Sequence, residues 1–225
     1  MLHARMNHLR AVVSRLFPSA LLGWILVIVC RLGYVELRAH ATTTPLIARE
    51  LPEWRSLIAG RRPTLGTNGA DVIILEFSDY QCPYCGIMEP RLQQLVSRHP
   101  GRIAVYRFDL PRETIHPYAK SAAVAADCAA LQDVDEPYQE ELFNNQRHLA
   151  NFNWVDLAKR SGVKDIGAFT KCIDDQEPLA AIKSDLNTGE RLQINGTPTL
   201  IINGAMVDGA MTSEDLNDLY RRASR

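Results

Sequence analysis

Two cysteines, Cys82 and Cys85, lie where an apolar run of the sequence meets a helix-forming one. Residues 72–77 before them are almost continuously apolar, which is typical of a strand buried on both faces. The residues that follow predict a helix that begins at the pair and ends near Arg98. A helix start presents unpaired N–H groups and the positive end of the helix dipole, and both stabilise a thiolate. Because a thiolate rather than a thiol attacks disulfides, this position predicts redox chemistry.

The same pair of cysteines would also be compatible with half of a zinc site or with a structural bridge. A structural zinc site needs two further ligands with suitable spacing. Cys128, Cys172 and His116 are scattered along the chain rather than paired. The spacing therefore favours the redox interpretation.

The composition of the 225 residues is that of an ordinary globular protein. Hydrophobic residues make up 46% of the chain and charged residues 23%, and the formal net charge is −1. No basic stripe stands out beyond the N-terminus, so we expect no nucleic-acid partner. No nucleotide, metal or flavin site is visible in the sequence. The expected redox group is therefore the cysteine pair itself, with no other cofactor.

The N-terminus has the pattern of a targeting or anchoring element. Residues 1–15 are basic, and no acidic residue precedes Glu36. Residues 16–30 carry no charge, and the apolar stretch reaches residue 35 if Arg31 extends to the membrane interface. About 20 apolar residues cross a bilayer, so residues 16–35 predict a signal-anchor helix. The positive flank predicts a cytoplasmic N-terminus and an exported remainder.

A cleaved signal peptide is the alternative for this segment, with residues 39–41 (Ala-His-Ala) as the cleavage site. Both alternatives deliver the rest of the chain to the periplasm, an oxidising compartment. In the first the protein is a single-pass membrane protein, and in the second it is released. Residues 36–69 predict a linker with one short helix, begun by Pro52 and ended by Gly60.

The remaining pattern predicts an α/β domain over residues 70–225, in the order βαβ, helical block, ββα. A second strand is expected at residues 103–108, parallel to the first. The helical block covers about residues 116–194, with helices at residues 118–131, 138–150, 154–161, 166–173 and 178–194. Strand character returns at residues 199–202, and Asn203-Gly204 is a strong hairpin signal. Ser213 is expected to cap the last helix.

With these elements, the chain resembles a DsbA-like member of the thioredoxin superfamily, with a helical insertion in a thioredoxin-like fold. The resemblance covers about residues 70–222. Its motifs are Glu76 six residues before the first cysteine, the run Cys82-Pro83-Tyr84-Cys85, Pro90 inside the helix, and Gly196-Thr197-Pro198-Thr199 at the start of a strand. The resemblance implies a thiol:disulfide oxidoreductase.

We expect Cys82 to be the nucleophile and Cys85 the more buried, resolving thiol. Cys82 should lie at the exposed end of the motif, and its pKa should fall below the free value of ~8.5. Pro83 and Tyr84 set the dipoles and hydrogen bonds around the thiolate. Glu76 lies inside an apolar strand and is expected to relay a proton to Cys85, unless it is simply a strand-end residue that reaches solvent.

The family keeps a cis-proline at the position of Pro198, so the resemblance predicts a cis Thr197-Pro198 bond. The backbone of Thr197 would then lie beside Cys82, where a substrate strand could add by main-chain hydrogen bonds. An ordinary trans turn is the alternative.

Cys128 and Cys172 remain once the active pair is set aside and Cys30 is assigned to the apolar segment. In an oxidising compartment two such cysteines suggest a structural disulfide, which some relatives carry in this insert. Two buried free thiols are the alternative.

Three functions are compatible with this site. The protein could be an oxidase that donates disulfides to exported proteins, a reductase or isomerase with the same site, or a redox-silent folding module. Isomerases of this type usually carry a separate dimerisation domain, and the segment after the apolar run is too short for one. This favours an oxidase and a monomer. The expected partners are exported proteins with cysteines and, as the family implies, a membrane quinone-linked protein that reoxidises the pair.

Overall fold

The structure, a computed structural model, describes residues 49–175 and 179–225. The predicted basic N-terminus, residues 1–15, and the predicted signal-anchor helix, residues 16–35, lie outside the described residues. Within the described ranges, no helix is both long enough and apolar enough to span a bilayer.

A mixed sheet forms the centre of the fold. Its strands in chain order are β1 (Arg49–Glu50), β2 (Leu65–Gly66), β3 (Val72–Ser78), β4 (Ile103–Asp109), β5 (Thr199–Ile202) and β6 (Ala205–Asp208). They lie side by side in the order β1-β6-β5-β3-β4-β2. β3 and β4 pair in parallel, and the other pairs are antiparallel. β3, the strand that leads to the cysteine pair, is therefore central, and all seven of its residues are buried.

The helices among the described residues are α1 (Pro83–Arg98), α2 (Ala119–Ala130), α3 (Asp135–Asn144), α4 (Trp154–Ser161), α5 (Ile166–Asp174), α6 (Ala180–Arg191) and α7 (Ser213–Ala223). Short 3₁₀ helices occupy Trp54–Ile58 and Gln146–Asn151. Helices α2 to α6 form the expected block between β4 and β5. With the βαβ unit before it and the ββα unit after it, this arrangement confirms the predicted thioredoxin-like α/β fold.

Local features differ from the sequence prediction in three places. The segment predicted as a linker contributes two short edge strands, β1 and β2. The helix predicted over residues 138–150 ends at Asn144, and a 3₁₀ helix follows it. The last helix is capped by Thr212 rather than Ser213, because the Thr212 hydroxyl accepts a hydrogen bond from the backbone N–H of Asp215.

The side chains on one face of β3 and the cysteine pair belong to two separate hydrophobic clusters of the core. Ile73, Leu75 and Phe77 pack in one cluster with Trp54 and residues of β4. The cysteine pair belongs to the other cluster, which is built mainly from the helical block. Because side chains alternate along a strand, Glu76 and Ser78 lie on the face opposite Ile73, Leu75 and Phe77.

A disulfide joins Cys128 of α2 to Cys172 of α5, with a sequence separation of 44 residues and Cα atoms 6.0 Å apart. It closes a loop that includes most of the helical block. A cross-link over such a loop lowers the conformational entropy of the unfolded chain.

Replacing Cys128 and Cys172 together with alanine is expected to lower the free energy of unfolding by about 2 to 4 kcal/mol. The measurement is denaturant unfolding in a Cys30→Ser/Cys82→Ser/Cys85→Ser background, so that only this bridge can form. Under reducing conditions the bridged and alanine proteins should approach each other in stability. An equal difference with and without reductant would contradict an effect of the cross-link.

Candidate active site

Cys82 occupies the N-cap position of α1, and Pro83 is the first helical residue. The Cys82 backbone is extended, with φ −71° and ψ 119°, so the chain turns from β3 into the helix at this residue. Proline suits the first helical position because its fixed φ fits the helix and its missing N–H has no intrahelical partner there. Cys82 and Cys85 are both free thiols in the structure.

The cysteine pair is more enclosed than the sequence predicts. The expectation that Cys82 lies exposed is wrong: its residue is 4% exposed, and Cys85 is 0% exposed. The cause is the loop before β5, which covers the sulfur. The Cys82 thiol donates a hydrogen bond to the carbonyl oxygen of Thr197, with 3.2 Å between Sγ and O. Tyr84, between the cysteines, is 60% exposed and presents its ring to solvent.

Hydrogen-bond donors around Cys82 favour its thiolate. The pKa of Cys82 is lowered to about 5, mainly by a hydrogen bond from the side chain of Cys85. A hydrogen bond from the Thr197 side chain lowers it further. The backbone N–H groups of Tyr84 and Cys85 at the helix start add to the effect, which outweighs burial. The Thr197 carbonyl stabilises only the protonated thiol, so its contact is lost on ionisation. At neutral pH Cys82 is therefore a thiolate.

Burial raises the pKa of Cys85, and the hydrogen bond to Cys82 and the negative charge of Glu76 raise it further. The two cysteines thus differ sharply in acidity, although they lie three residues apart. One is a ready nucleophile, and the other stays protonated until a base removes its proton.

Glu76, on β3, is fully buried. Its Oε2 accepts hydrogen bonds from Nε and Nη2 of Arg107 on β4, at 3.1 and 2.9 Å. Arg107 also pairs with Glu89 of α1 and donates to the side-chain oxygen of Gln139. Two acidic groups thus share one guanidinium, which can compensate the negative charge of only one of them. Burial raises the pKa of Glu76 despite Arg107, and Glu89 adds to the rise.

The Thr197-Pro198 peptide bond is cis. Pro198 is buried and Thr197 half-buried. Together with the contact from Cys82 to the Thr197 carbonyl, this places the backbone of residue 197 directly beside the first sulfur.

Two polar side chains that were not predicted from the sequence hold the turn around Cys82. Nε2 of Gln146 donates to the carbonyl oxygens of Tyr80 and Cys82, at 2.8 and 2.7 Å. The buried Asp79 accepts from the backbone N–H of Gln81 at 2.7 Å. Asp79 could have been found from the sequence, because it is an acidic residue directly after an apolar strand and three residues before the pair. Nothing in the sequence marks Gln146.

Asp79 also fixes the segment before α2. Its Oδ2 accepts from the backbone N–H of Arg112 at 2.9 Å and contacts Nδ1 of His116 at 2.8 Å. The backbone N–H of Tyr118 donates to the side chain of Gln81 at 2.7 Å. These contacts bring residues 110–118 alongside the cysteine turn.

Exposed apolar side chains lie on α1 and on residues 110–118, the segment held alongside the cysteine turn. They are Tyr84 and Ile87 of α1, and Ile115 and Tyr118 of residues 110–118. We refer to these four residues as the apolar rim. Across residues 49–175 and 179–225, no group of three or more His, Cys, Asp or Glu side chains is placed to hold a metal ion.

Known proteins with this fold include oxidoreductases. A thioredoxin-like oxidoreductase from Silicibacter pomeroyi DSS-3 is 26% identical, with a TM-score of 0.59 over 71% of this chain and 90% of that one. The catalytic domain of Proteus mirabilis ScsC is 23% identical, with a TM-score of 0.63 over 76% and 98%. BdbD from Bacillus subtilis is 20% identical, with a TM-score of 0.61 over 74% and 92%.

Sequence relatives include much longer proteins. The Na⁺/H⁺ antiporter NhaA 3 of Salinispora tropica is 31% identical over 152 residues, which are 68% of this chain but 23% of the antiporter. The chain thus spans about a quarter of the length of the curated relatives it matches. The family model described as Thioredoxin matches residues 59–220, well over half of the sequence. The chain therefore belongs to the thioredoxin family and shares its fold with a known thioredoxin-like oxidoreductase.

Proposed function

We propose that the protein is an oxidase that donates the Cys82–Cys85 disulfide to exported proteins. A substrate thiolate attacks Sγ of Cys82, the bond between the two cysteines breaks, and a mixed disulfide forms. A second substrate thiolate then releases Cys82, which leaves as a thiolate. In the reverse direction, Cys85 attacks the mixed disulfide as the resolving thiol. The redox group is the cysteine pair alone.

The observation that carries this proposal is the low pKa of Cys82, about 5. At neutral pH a stable thiolate favours the reduced form of the pair over its disulfide. Relative to a thiol of pKa ~8.5, ionisation at pH 7 adds on the order of 60 mV to the reduction potential. A more stable reduced form makes the disulfide a stronger oxidant, which is what donation requires.

The proton on Cys85 is the second requirement. In the donating direction Cys85 leaves as a thiolate inside the core and must be protonated. Glu76 is buried with a raised pKa, so it is suited to supply that proton and to take it back during reoxidation. Arg107 positions the carboxyl group by binding one of its oxygens.

The substrate is proposed to be an extended protein segment with a cysteine. Its main chain would bond the backbone of Thr197 beside the cis Pro198, and its apolar side chains would contact the apolar rim. Export by the N-terminal signal anchor, or by a cleaved signal peptide, would bring such substrates to the domain. A membrane quinone-linked protein is the proposed reoxidising partner, and a monomer the proposed state.

A reductase or isomerase with the same site is the alternative, because the Pro-Tyr pair between the cysteines is compatible with either direction. A redox-silent folding module is the alternative of a different class. It is disfavoured by the presence of both cysteines and by the thiolate-stabilising donors at Cys82.

Titration of the reduced protein is expected to show one thiolate with a pKa near 5. The thiolate is formed at Cys82 because the surrounding donors are preorganised, and Cys85 stays protonated. The measurement is the pH dependence of ultraviolet thiolate absorbance, checked by the rate of alkylation.

The matched control is a Cys85→Ser variant, which keeps Cys82 and a hydrogen-bond donor at residue 85. It should retain a single acidic thiol, whereas Cys82→Ser should lose the acidic transition. If the most acidic thiol of the wild-type protein instead had a pKa of about 8 to 9, the basis for the oxidase proposal would be lost.

A further inference from the structure

Two buried polar atoms on β3 have no hydrogen-bond partner among the described residues. They are Oγ of Ser78, whose residue is 1% exposed, and Oε1 of Glu76. The two residues are two positions apart on one strand, so their side chains lie on the same face. Buried polar atoms without partners are rare in folded proteins and often mark a functional group.

Glu76, on that face of β3, lies close enough to Cys85 for its negative charge to raise the pKa of that thiol. The Ser78 side chain lowers the pKa of Glu76 and also that of Cys85, although burial raises both overall, so its hydroxyl lies close to both groups without a formed hydrogen bond to either. The Ser78 hydroxyl is therefore within reach of both groups.

A hydroxyl has one proton to donate and two lone pairs that accept, and it rotates freely. Ser78 can accept a proton from Cys85 while it donates its own to Glu76, or the reverse. One oxygen of Glu76 is held by Arg107, and the unpaired one remains for this exchange.

We propose that Ser78 is a positioning residue whose hydroxyl carries the proton between Glu76 and Cys85. The inference rests on the proposed exchange chemistry and deepens it. When a substrate thiolate attacks Cys82, Cys85 leaves with the electron pair of the broken S–S bond. Cys85 then takes the hydroxyl proton of Ser78, and Ser78 takes the proton of Glu76. The carboxylate that forms is faced by the positive charge of Arg107 from β4 and the negative charge of Glu89 from α1.

The reverse direction has the same balance. Cys85 gives its proton to Ser78, and Ser78 gives its own to Glu76. The Cys85 thiolate then attacks Sγ of Cys82, and the thiol bound there leaves as a thiolate. No proton moves through Ser78 when Cys82 itself attacks a disulfide, because Cys82 is already ionised.

The test separates these two steps by mixing the reduced protein with oxidised glutathione. In the first step the mixed disulfide with glutathione forms at Cys82, and in the second step Cys85 resolves this mixed disulfide. Rapid acid quenching and mass measurement give the rate of each step. Ser78→Ala is expected to slow only the second step, roughly 10-fold to 100-fold. Ser78→Thr keeps a hydroxyl and should restore most of the rate.

Ser161→Ala is the matched control, because Oγ of Ser161 is also buried without a hydrogen-bond partner in the described part of the chain but lies in α4 of the insert. It should leave both steps unchanged. Glu76→Gln should slow the second step, and adding Ser78→Ala to it should slow that step no further, since both residues act in one path.

The relay would be overturned if the second step of Ser78→Ala were as fast as that of the wild-type protein. It would also be overturned if the two substitutions slowed that step by fully additive amounts in the double variant. If Ser78→Ala does not fold, the solvent isotope effect of the wild-type protein decides: the relay requires one on the second step and none on the first. A wild-type protein that does not react with oxidised glutathione would instead refute the proposed function.

Discussion

Replacing Cys82 with serine is expected to lower disulfide exchange at least 1,000-fold, to the background rate of the assay. The reason is that a serine hydroxyl is not ionised at neutral pH and cannot form a disulfide, whereas Cys82 is a thiolate with a pKa of about 5. The measurement is the rate of thiol–disulfide exchange with a peptide that contains two cysteines.

Cys85→Ser provides the control for this prediction. It keeps the nucleophile but not the resolving thiol, so it should accumulate a mixed disulfide at Cys82 that mass measurement detects. Equal activity of Cys82→Ser and the wild-type protein, or a mixed disulfide trapped at Cys85 instead, would reverse the assignment of the two roles.

Replacing Arg107 with methionine is expected to destabilise the folded protein by about 3 to 5 kcal/mol at pH 7. The substitution removes the guanidinium that Glu76 and Glu89 share and leaves two buried acidic groups close together. Without Arg107, the pKa of Glu76 in the folded state rises further above its unfolded value. A raised carboxyl pKa costs stability as pH increases, so the defect should be smaller at pH 5 than at pH 7.

Arg102→Met is the matched control, because Arg102 pairs with Asp71 at 2.8 Å beside the same two strands, but both side chains are more than half exposed. An exposed pair contributes about 1 kcal/mol or less. Denaturant unfolding of the two variants at both pH values is the measurement. Similar small losses for Arg107→Met and Arg102→Met would show that the buried cluster does not depend on its cation.

The main elements of the fold could be predicted because their signals are local and strong. β3 is a continuous apolar run, and α1 begins with a proline at its first position. Asn203-Gly204 forms the hairpin between β5 and β6, with φ of 46° and 100°, as a two-residue turn requires. By contrast, β1 and β2 are two residues long and carry no periodicity, so only their pairing with β6 and β4 defines them.

The residues of the site could be predicted where they are close together in the sequence. They were missed where only the packing of distant segments brings them together. Glu76 itself could be singled out, but its pairing with Arg107 depends on the register of β3 and β4, which the sequence alone does not fix. Glu89 of α1 contacts the same Arg107. The sequence pointed to Glu89, because an acidic residue four positions after Cys85 lies on the apolar side of the helix. The burial of Cys82 could not be predicted, because the loop that covers it is more than 110 residues away in the sequence.

The redox equilibrium of the Cys82–Cys85 pair with glutathione tests most directly the claim that the protein donates disulfides. The thiolate at Cys82 and the protonated thiol at Cys85 predict a labile, oxidising disulfide with a reduction potential above about −200 mV. A potential at or below about −270 mV, where reducing dithiols and structural bridges lie, would contradict the oxidase and leave the reductase.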